Sequence, residues 1–246
     1  MKKMGKRMIA MLLLFCVGAV CFVPEGSLAE EANQTAESAP SKPLLSEFGI
    51  KDFQNADNRV VWTHAAPYDK GANGFQIEVS EVKSGKVVSE KELSDTFDAK
   101  RNVLYRYRIR YYKGGYGTEQ KIYGEYSDYR YFCASTLSGK RGSKGFELKW
   151  KKLSQVKGYD CYVKSTNAGK RRSSGTMTAS TFPAKKLSAE GFKKVKSLGK
   201  KSTSLLVSKV SGKKLNWKNY YYIIVRPKFY VGGKQVVNDL DSWVYK

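Results

Sequence analysis

Short runs of alternating apolar and polar residues make up most of the chain. Residues 74–80 alternate aromatic or aliphatic side chains with polar ones, and residues 105–112 alternate tyrosine and isoleucine with arginine. Because successive side chains of a β-strand point to opposite faces, these runs predict strands with an apolar inner face and a polar outer face. Turn residues such as Gly114 and Gly115 separate the runs, and no long helical period lies between them. The pattern predicts an all-β fold of antiparallel strands, a sandwich or a barrel.

The chain contains this pattern twice. Leu148 and Trp150 stand in the second half where Val60 and Trp62 stand in the first half. Two further segments correspond, residues 158–165 with 74–80 and residues 219–234 with 103–117, and the second pair runs into Gly-Gly in both copies. This repetition predicts two copies of one fold, with the tyrosine-rich segment as the penultimate strand of each.

The copies differ between the matching strands. The first copy predicts a hairpin that turns at Ser84 and Gly85, whereas the second copy inserts residues 167–201, which we expect to form loop or a short helix over 188–194. Pro227 lies within the second penultimate strand. Since proline has no N–H, we expect it to lie at a bulge or to face a sheet edge.

The N-terminus has the pattern of an export signal. Four basic residues precede an apolar run, and small residues follow at a suitable cleavage position, which predicts a signal peptide over residues 1–29. An uncleaved anchor and lipid attachment at Cys21 are the weaker alternatives. Residues 30–43 lack aromatic side chains and predict a disordered linker. No later segment predicts a membrane span. We therefore expect a secreted, extracellular protein, with association with the cell wall as an alternative. No sorting motif indicates covalent attachment to the wall.

Positive charge is concentrated in the second half of the chain. Residues 44–134 hold 14 Lys and Arg against 13 Asp and Glu, a net charge of +1, whereas residues 135–246 hold 26 against 5, a net charge of +21. The change in charge predicts a domain boundary between residues 134 and 135. A strongly basic domain attracts polyanions through its long-range field, although lysine-rich outer faces also keep sheets soluble.

Several segments resemble fibronectin type III repeats, in particular the lysine-rich ones of secreted and surface proteins of Gram-positive bacteria. The resemblance rests on "YRYRIRYYKGGYGTEQKIYGEYSDYR" in the first copy and on "LKWKKLSQVKGYDCYVKS" and "KKVKSLGKKSTSLLVSKVSGKKLNWKNYYYIIV" in the second. It implies two tandem fibronectin type III-like (immunoglobulin-like) antiparallel β-sandwiches, residues 44–134 and 135–246, behind the signal peptide. It further implies a spacer, an adhesive module or an accessory to a carbohydrate-active enzyme.

Candidate catalytic chemistry is sparse in the sequence. His64 is the single histidine, and Cys133 and Cys161 are the cysteines that remain after the signal; we favour two separate buried thiols over a disulfide. One histidine and two cysteines are too few for a zinc site, and we predict no cofactor. Asp239 and Asp241 are two residues apart in a predicted strand and are expected to face one side and pair with lysines. An unrecognised hydrolase remains the remote alternative.

The basic second half supplies the candidate binding residues. They cluster in three short segments and comprise Lys170, Arg171, Arg172, Lys193, Lys194, Lys196, Lys200, Lys201, Lys213 and Lys214. Because 22 of the 26 cations of this half are lysine, which lacks the forked guanidinium, we expect loose and salt-sensitive attraction. We therefore predict a noncatalytic binding or adhesion module of the cell envelope that contacts an anionic cell-wall polymer or acidic glycan. The alternative is a structural spacer or a protein that binds other proteins, and nucleic acid is the less favoured partner.

Tyrosine is the second type of residue that could form a binding surface. Tyr116, Tyr123 and Tyr126 in the first copy and Tyr230 in the second are the tyrosines expected at the surface, although packing within hairpins is the favoured explanation for them.

Overall fold

The structure, a computed structural model, describes residues 38–115, 117, 120–166 and 178–245. The predicted signal peptide and residues 30–37 of the predicted linker lie outside these residues. Within them the regular structure is antiparallel β-strand apart from two 3-10 helices, Leu45–Glu47 and Pro67–Lys70. The predicted all-β class is confirmed.

Eight strands form the first pair of sheets. In chain order they are β1 (Phe48–Gln54), β2 (Arg59–His64), β3 (Gly74–Glu81), β4 (Val87–Glu92), β5 (Thr96–Asp98), β6 (Tyr105–Lys113), β7 (Ile122–Tyr123) and β8 (Arg130–Phe132). One sheet has the order β1-β2-β5, and the other has the order β4-β3-β6-β7, with β8 also pairing with β6.

Eleven strands follow in the second half. They are β9 (Leu137–Gly142), β10 (Gly145–Trp150), β11 (Val156–Thr166), β12 (Thr178–Pro183), β13 (Lys193–Gly199), β14 (Ser204–Val207), β15 (Lys209–Val210), β16 (Lys213–Lys214), β17 (Tyr220–Val231), β18 (Lys234–Val236) and β19 (Leu240–Tyr245). One sheet has the order β14-β10-β9, the other has the order β12-β19-β17-β11-β13 with β18 beside β17, and β15 pairs with β16 alone. Both sheet pairs are consistent with a fibronectin type III or immunoglobulin-like sandwich.

Each sheet pair encloses an aromatic core. Trp62 and Tyr107 lie in the first core with ring centroids 4.7 Å apart, and Trp150 and Tyr159 lie in the second with centroids 5.4 Å apart. All four side chains are buried. Burial of aromatic and aliphatic residues at every second strand position provides most of the apolar driving force for folding. The predicted inner faces of the strands are confirmed.

Three local expectations have different outcomes. Pro227 lies on β17 between the stretches that pair with β19 and with β18, so its nitrogen faces an unpaired part of that edge, as predicted. The helix alternative over 188–194 is wrong, because residues 188–191 form a turn and β13 begins at Lys193. The linker over residues 30–43 stays a prediction, and within its described end Pro40 and Pro43 are buried.

The two sheet pairs share core residues where they meet. Leu240, from the start of β19, is buried in the first core, and Leu104 and Cys133 belong to the second core. Asn238 joins the same region, because its side-chain oxygen accepts a hydrogen bond of 2.7 Å from the backbone N–H of Cys133. Residues Ser38–Lys246 form one compact unit, and the domain boundary after residue 134 stays a prediction.

A partly buried ion pair reinforces this junction. Asp239 accepts hydrogen bonds from Nε and Nη2 of Arg130 at 2.8 Å and 2.9 Å, and the hydroxyl of Tyr107 donates a third at 2.7 Å. Arg130 also donates to the backbone carbonyl oxygens of Leu45 and Phe48, each at 2.8 Å. One carboxylate from the second half of the chain thus binds side chains of β6 and β8, and Arg130 extends the network to the backbone of a third segment.

Candidate functional site

Six exposed lysines form the surface that we name the lysine edge. It comprises Lys193 and Lys196 on β13, Lys200 and Lys201 in the following turn, and Lys213 and Lys214 on β16. β13 is the outermost strand of its sheet and contacts β15, the partner strand of β16. The fold therefore brings together two of the three predicted basic segments. The third, with Lys170, Arg171 and Arg172, lies outside the described residues.

A bulge determines which side chains β13 presents to solvent. The register between β11 and β13 shifts at Cys161 and Tyr162, so that Val195 is the additional residue on β13. Val195 packs against the second core, whereas Lys194 and Lys196 on either side of it stay exposed. Bulges and lysines are also the usual devices that prevent edge strands from pairing with other chains.

Lysines face each other directly on the small hairpin beside β13. Ser211 and Gly212 have φ of 51° and 78°, which gives the tight two-residue turn that antiparallel strands require. The resulting register places Lys209 opposite Lys214. Like charges that are directly opposite destabilise a strand pair, so a bound anion would relieve repulsion here.

Lys194 differs from the other described site residues because it is already paired. Its Nζ lies 2.9 Å from Oδ2 of Asp160. The other carboxylate oxygen, Oδ1, accepts a 2.8 Å hydrogen bond from Ser197 and lies 3.3 Å from Nζ of Lys228. Burial of Asp160 opposes its ionisation, but these three donors outweigh burial, and the pKa of Asp160 is lowered. We therefore remove Lys194 from the candidate contact residues.

The acidic residues of the second half do not neutralise the lysine edge. Four of the five form ion pairs elsewhere: Asp160 with Lys194 and Lys228, Glu190 with Lys185, Asp239 with Arg130, and Asp241 with Arg226. In the part of the chain that the structure describes, no carboxylate is within ion-pair distance of the six lysines of the edge. The positive potential of this surface is consequently uncompensated.

The prediction that the two C-terminal aspartates pair with lysines is wrong. Asp239 lies in a bend before β19 and binds Arg130, and Asp241 lies on β19 and binds Arg226, each through both carboxylate oxygens. The partners are thus arginines, on β8 and β17, rather than lysines. Arginine fits here because its planar fork can bind a carboxylate with two parallel hydrogen bonds.

The cationic outer face of β6 is covered by tyrosine. The guanidinium of Arg110 lies 4.0 Å from the ring centre of Tyr123 and 4.4 Å from that of Tyr126, and the guanidinium of Arg108 lies 4.0 Å from Tyr126 and 4.9 Å from Tyr129. Arg106 continues the series at 4.4 Å from Tyr129. Each such contact stabilises the cation by about 0.5–2 kcal/mol.

This ladder explains why the predicted surface tyrosines do not form a free platform. Tyr123 and Tyr126 are half-buried against the arginines of β6, and the hydroxyl oxygen of Tyr126 lies 2.8 Å from Oε1 of Gln76 and 3.0 Å from Oε1 of Glu90. Tyr230 is likewise occupied, since Nζ of Lys157 lies 4.1 Å from its ring centre. Tyr116 lies outside the described residues. The favoured explanation, hairpin packing, is confirmed for the three described tyrosines.

The catalytic candidates are separated in the fold. His64 stacks on Phe75 with ring centroids 3.8 Å apart, and its Nε2 lies 3.4 Å from a carboxylate oxygen of Asp95. Cys133 and Cys161 are free and buried in the second core, as predicted, and burial raises the pKa of each thiol to about 12. A thiol that does not ionise near neutral pH is a poor nucleophile.

Two further features bear on metals and membranes. Among the residues that the structure describes, no group of three or more His, Cys, Asp or Glu side chains could hold a metal ion. Within the same residues, the helices lack the length and apolar character that crossing a bilayer demands.

Comparison with known proteins identifies no family for the chain. No family model matches the chain, and no curated protein matches it. Among solved structures, the chain is similar to the FN1–FN3 domains of chicken CNTN1, with 14% sequence identity and a TM-score of 0.27. The match covers 82% of this chain and 66% of the other.

Proposed function

We propose that the chain is an exported, noncatalytic binding or adhesion module of the cell envelope, and that its lysine edge contacts an anionic polymer. The observation that supports this most directly is the set of exposed lysines without carboxylate partners on one strand edge. Folded chains usually intersperse both signs of charge over their surface. Here four of the five acids of the same half are paired elsewhere, and an external polyanion would neutralise the remaining cations.

The chemistry of the edge favours a repeating polymer over a small ligand. β13 has seven residues, so it extends over about 20 Å at ~3.3 Å per residue, and its lysines are spaced along this length. Lysine is a mobile point charge that suits several weak phosphate, sulfate or carboxylate contacts. A cell-wall phosphate polymer or an acidic glycan supplies charges at such intervals.

Salt-dependent retention of two charge-matched variants tests this proposal. The first variant changes Lys193, Lys196, Lys213 and Lys214 to Gln; the control changes Lys51, Lys83, Lys86 and Lys91, which are also exposed but lie on the first sheet pair. The full chain is applied to purified cell wall or to a heparin resin and eluted with salt.

We expect the edge variant to elute at clearly lower salt and the control to elute with the parent chain. If each lysine contacts one anionic group, the slope of log affinity against log salt falls by roughly 0.7–0.9 for each lysine removed, by analogy with nucleic acids. Equal elution of the two variants would show that only total charge matters, and the proposed site would then be wrong.

The junction between the sheet pairs favours a second function, that of a rigid spacer or protein-binding scaffold. The Arg130–Asp239 pair and the burial of Leu240 in the first core fix the two sheet pairs to each other. A spacer would elute at low salt in both variants. It would also keep a single compact shape in small-angle scattering at all salt concentrations.

A further inference from the structure

A small cleft opens where the two sheet pairs meet. Its volume is about 160 Å³, which corresponds to roughly five water molecules at ~30 Å³ each. Leu137 forms an apolar wall, and the polar lining comprises Arg101, Ser135, Thr136, Ser180, Thr181 and Ser242. None of these lining side chains is acidic.

Arg101 is half-buried, and its three hydrogen-bond acceptors are all neutral. Its Nε donates to Asn58 at 2.6 Å, its Nη2 to the side-chain oxygen of Asn55 at 3.0 Å, and its Nη1 to the hydroxyl of Thr181 at 3.2 Å. By contrast, Arg130 binds a carboxylate. Burial lowers the pKa of Arg101, with no carboxylate to offset the loss of hydration.

The guanidinium therefore retains unused hydrogen-bonding capacity. It has five N–H donors, and the three acceptors above leave one N–H on each Nη without an acceptor among the described residues. A buried cation is normally paired, because removal from water costs several kcal/mol that an opposite charge offsets. Arg101 has the donors and the charge for one anion.

The direction of the hydroxyl hydrogen bonds shows which other lining groups are available. Ser242 donates to the carbonyl oxygen of Ser135 at 2.6 Å, and it accepts from the Ser135 hydroxyl at 3.1 Å. Thr181, at 3.3 Å from Ser242, must then donate to it while accepting from Arg101. The hydrogens of these three hydroxyls are consequently committed to one another.

One lining hydroxyl has a hydrogen to spare. Thr136 accepts a 2.7 Å hydrogen bond from Asn102, which leaves its own hydrogen without an acceptor among the described residues. Ser180 is adjacent to Thr181 on β12, so its hydroxyl lies on the opposite face of the strand and is not counted as a donor. Arg101 and Thr136 thus offer two N–H groups and one O–H group without acceptors.

We propose that this cleft binds a small oxyanion, with Arg101 as the charged anchor and Thr136 as an additional donor. Three donors, a positive charge and no acidic lining residue fit the oxygens of a carboxylate, a sulfate or a phosphate group. Arg101 follows β5 of the first sheet pair, whereas Thr136 directly precedes β9 of the second. A bound oxyanion would therefore link the two sheet pairs. The site is separate from the lysine edge and does not depend on its function.

Nuclear magnetic resonance titration of the ¹⁵N-labelled full chain tests the proposal. Sodium sulfate, phosphate and acetate are added in separate series at constant ionic strength, with chloride as the reference anion. The backbone amides of Thr136 and Thr181 report on the cleft, and the variant Arg101→Gln removes the anchor. The matched control is Lys100→Gln, which removes an exposed positive charge from the adjacent position.

We expect saturable shifts of the cleft amides in the millimolar range for at least one oxyanion, and the series separate tetrahedral from planar ligands. Arg101→Gln should weaken binding by about tenfold or more, and Lys100→Gln should change it by less than about twofold. The proposal is wrong if no oxyanion gives saturating shifts, or if Arg101→Gln binds as tightly as the parent chain. If Arg101→Gln does not fold, the parent titration alone decides the outcome. A lysine-edge variant that loses resin binding but keeps these shifts would separate the two sites.

Discussion

Replacement of Asp239 by Asn is the most direct perturbation of the junction. Asn is nearly the same size as Asp, so the change removes the charge and one acceptor function without opening a cavity. The Arg130 guanidinium, whose side chain is 29% exposed, then loses its carboxylate, and the Tyr107 hydroxyl faces an amide. We expect the free energy of unfolding to fall.

The expected magnitude follows from the number of contacts and their burial. Asp239 is 11% exposed and accepts three hydrogen bonds, two of them from a charged donor. Breaking a fully buried ion pair costs about 3–5 kcal/mol, and the partial exposure of Arg130 reduces this to roughly 2–4 kcal/mol. Asp128→Asn is the control, because Asp128 is 73% exposed and its ion pair with Lys42 is accessible to water.

Urea unfolding of the full chain, followed by tryptophan fluorescence and circular dichroism, measures these effects. A double-mutant cycle with Arg130→Met isolates the interaction, and we expect a coupling energy above about 1 kcal/mol. A destabilisation by Asp239→Asn no larger than that of Asp128→Asn, or a coupling energy within error of zero, would refute the reasoning. The junction would then depend on apolar contacts alone.

Three further predictions concern individual residues. The Cys133 and Cys161 thiols should not react with a disulfide reagent at pH 8 unless the chain is unfolded, because their pKa is raised to about 12; rapid reaction in the native state would contradict their burial. Asp160→Asn should destabilise the fold at neutral pH. Because the pKa of Asp160 is lowered in the folded chain, its stabilising effect is fully present above the unfolded pKa of about 3.9 and disappears as the pH falls through the folded pKa. The unfolding free energies of parent and variant should therefore converge in acid. A difference that does not change with pH would contradict this prediction. Gly145→Ala should lower the free energy of unfolding by about 1–3 kcal/mol, since Gly145 has φ of 154° and a Cβ there would overlap the backbone of β14. Gly199→Ala is the control and should leave the free energy of unfolding nearly unchanged, because a Cβ at Gly199 would have no atom within 4 Å.

The secondary structure was predictable because its signal is local. Side chains alternate between the two faces of a strand, so the buried positions of Trp62 and Trp150 follow from the spacing of their neighbours. Glycine pairs mark turns for a similar reason, since they adopt backbone conformations that other residues rarely adopt. The wrong helix over 188–194 lies in an insertion without such a repeating pattern, where composition alone does not decide between turn and helix.

The candidate sites were less predictable because their partners are distant in the sequence. Lysine clusters are visible in the sequence. Only the pairing of β11 with β13 shows that Asp160 forms an ion pair with Lys194 and leaves Lys193 and Lys196 without a carboxylate partner among the described residues. The arginine–tyrosine ladder has a weak signal, the spacing of Tyr123, Tyr126 and Tyr129 at every third residue. That spacing gains its meaning only once the chain lies across β6.

The strands, their inner faces and the excess positive charge of the second half follow from the order of the residues along the chain. That Asp239 binds Arg130, that Leu240 enters the first core, and that Arg101 binds amide and hydroxyl oxygens instead of a carboxylate follow from the packing of distant segments. The physical reason is that strand patterns depend on neighbouring residues, whereas pairs more than 100 residues apart depend on how two sheet pairs dock. Docking depends on the shape and hydrogen bonding of whole surfaces, which the pattern of neighbouring residues does not predict.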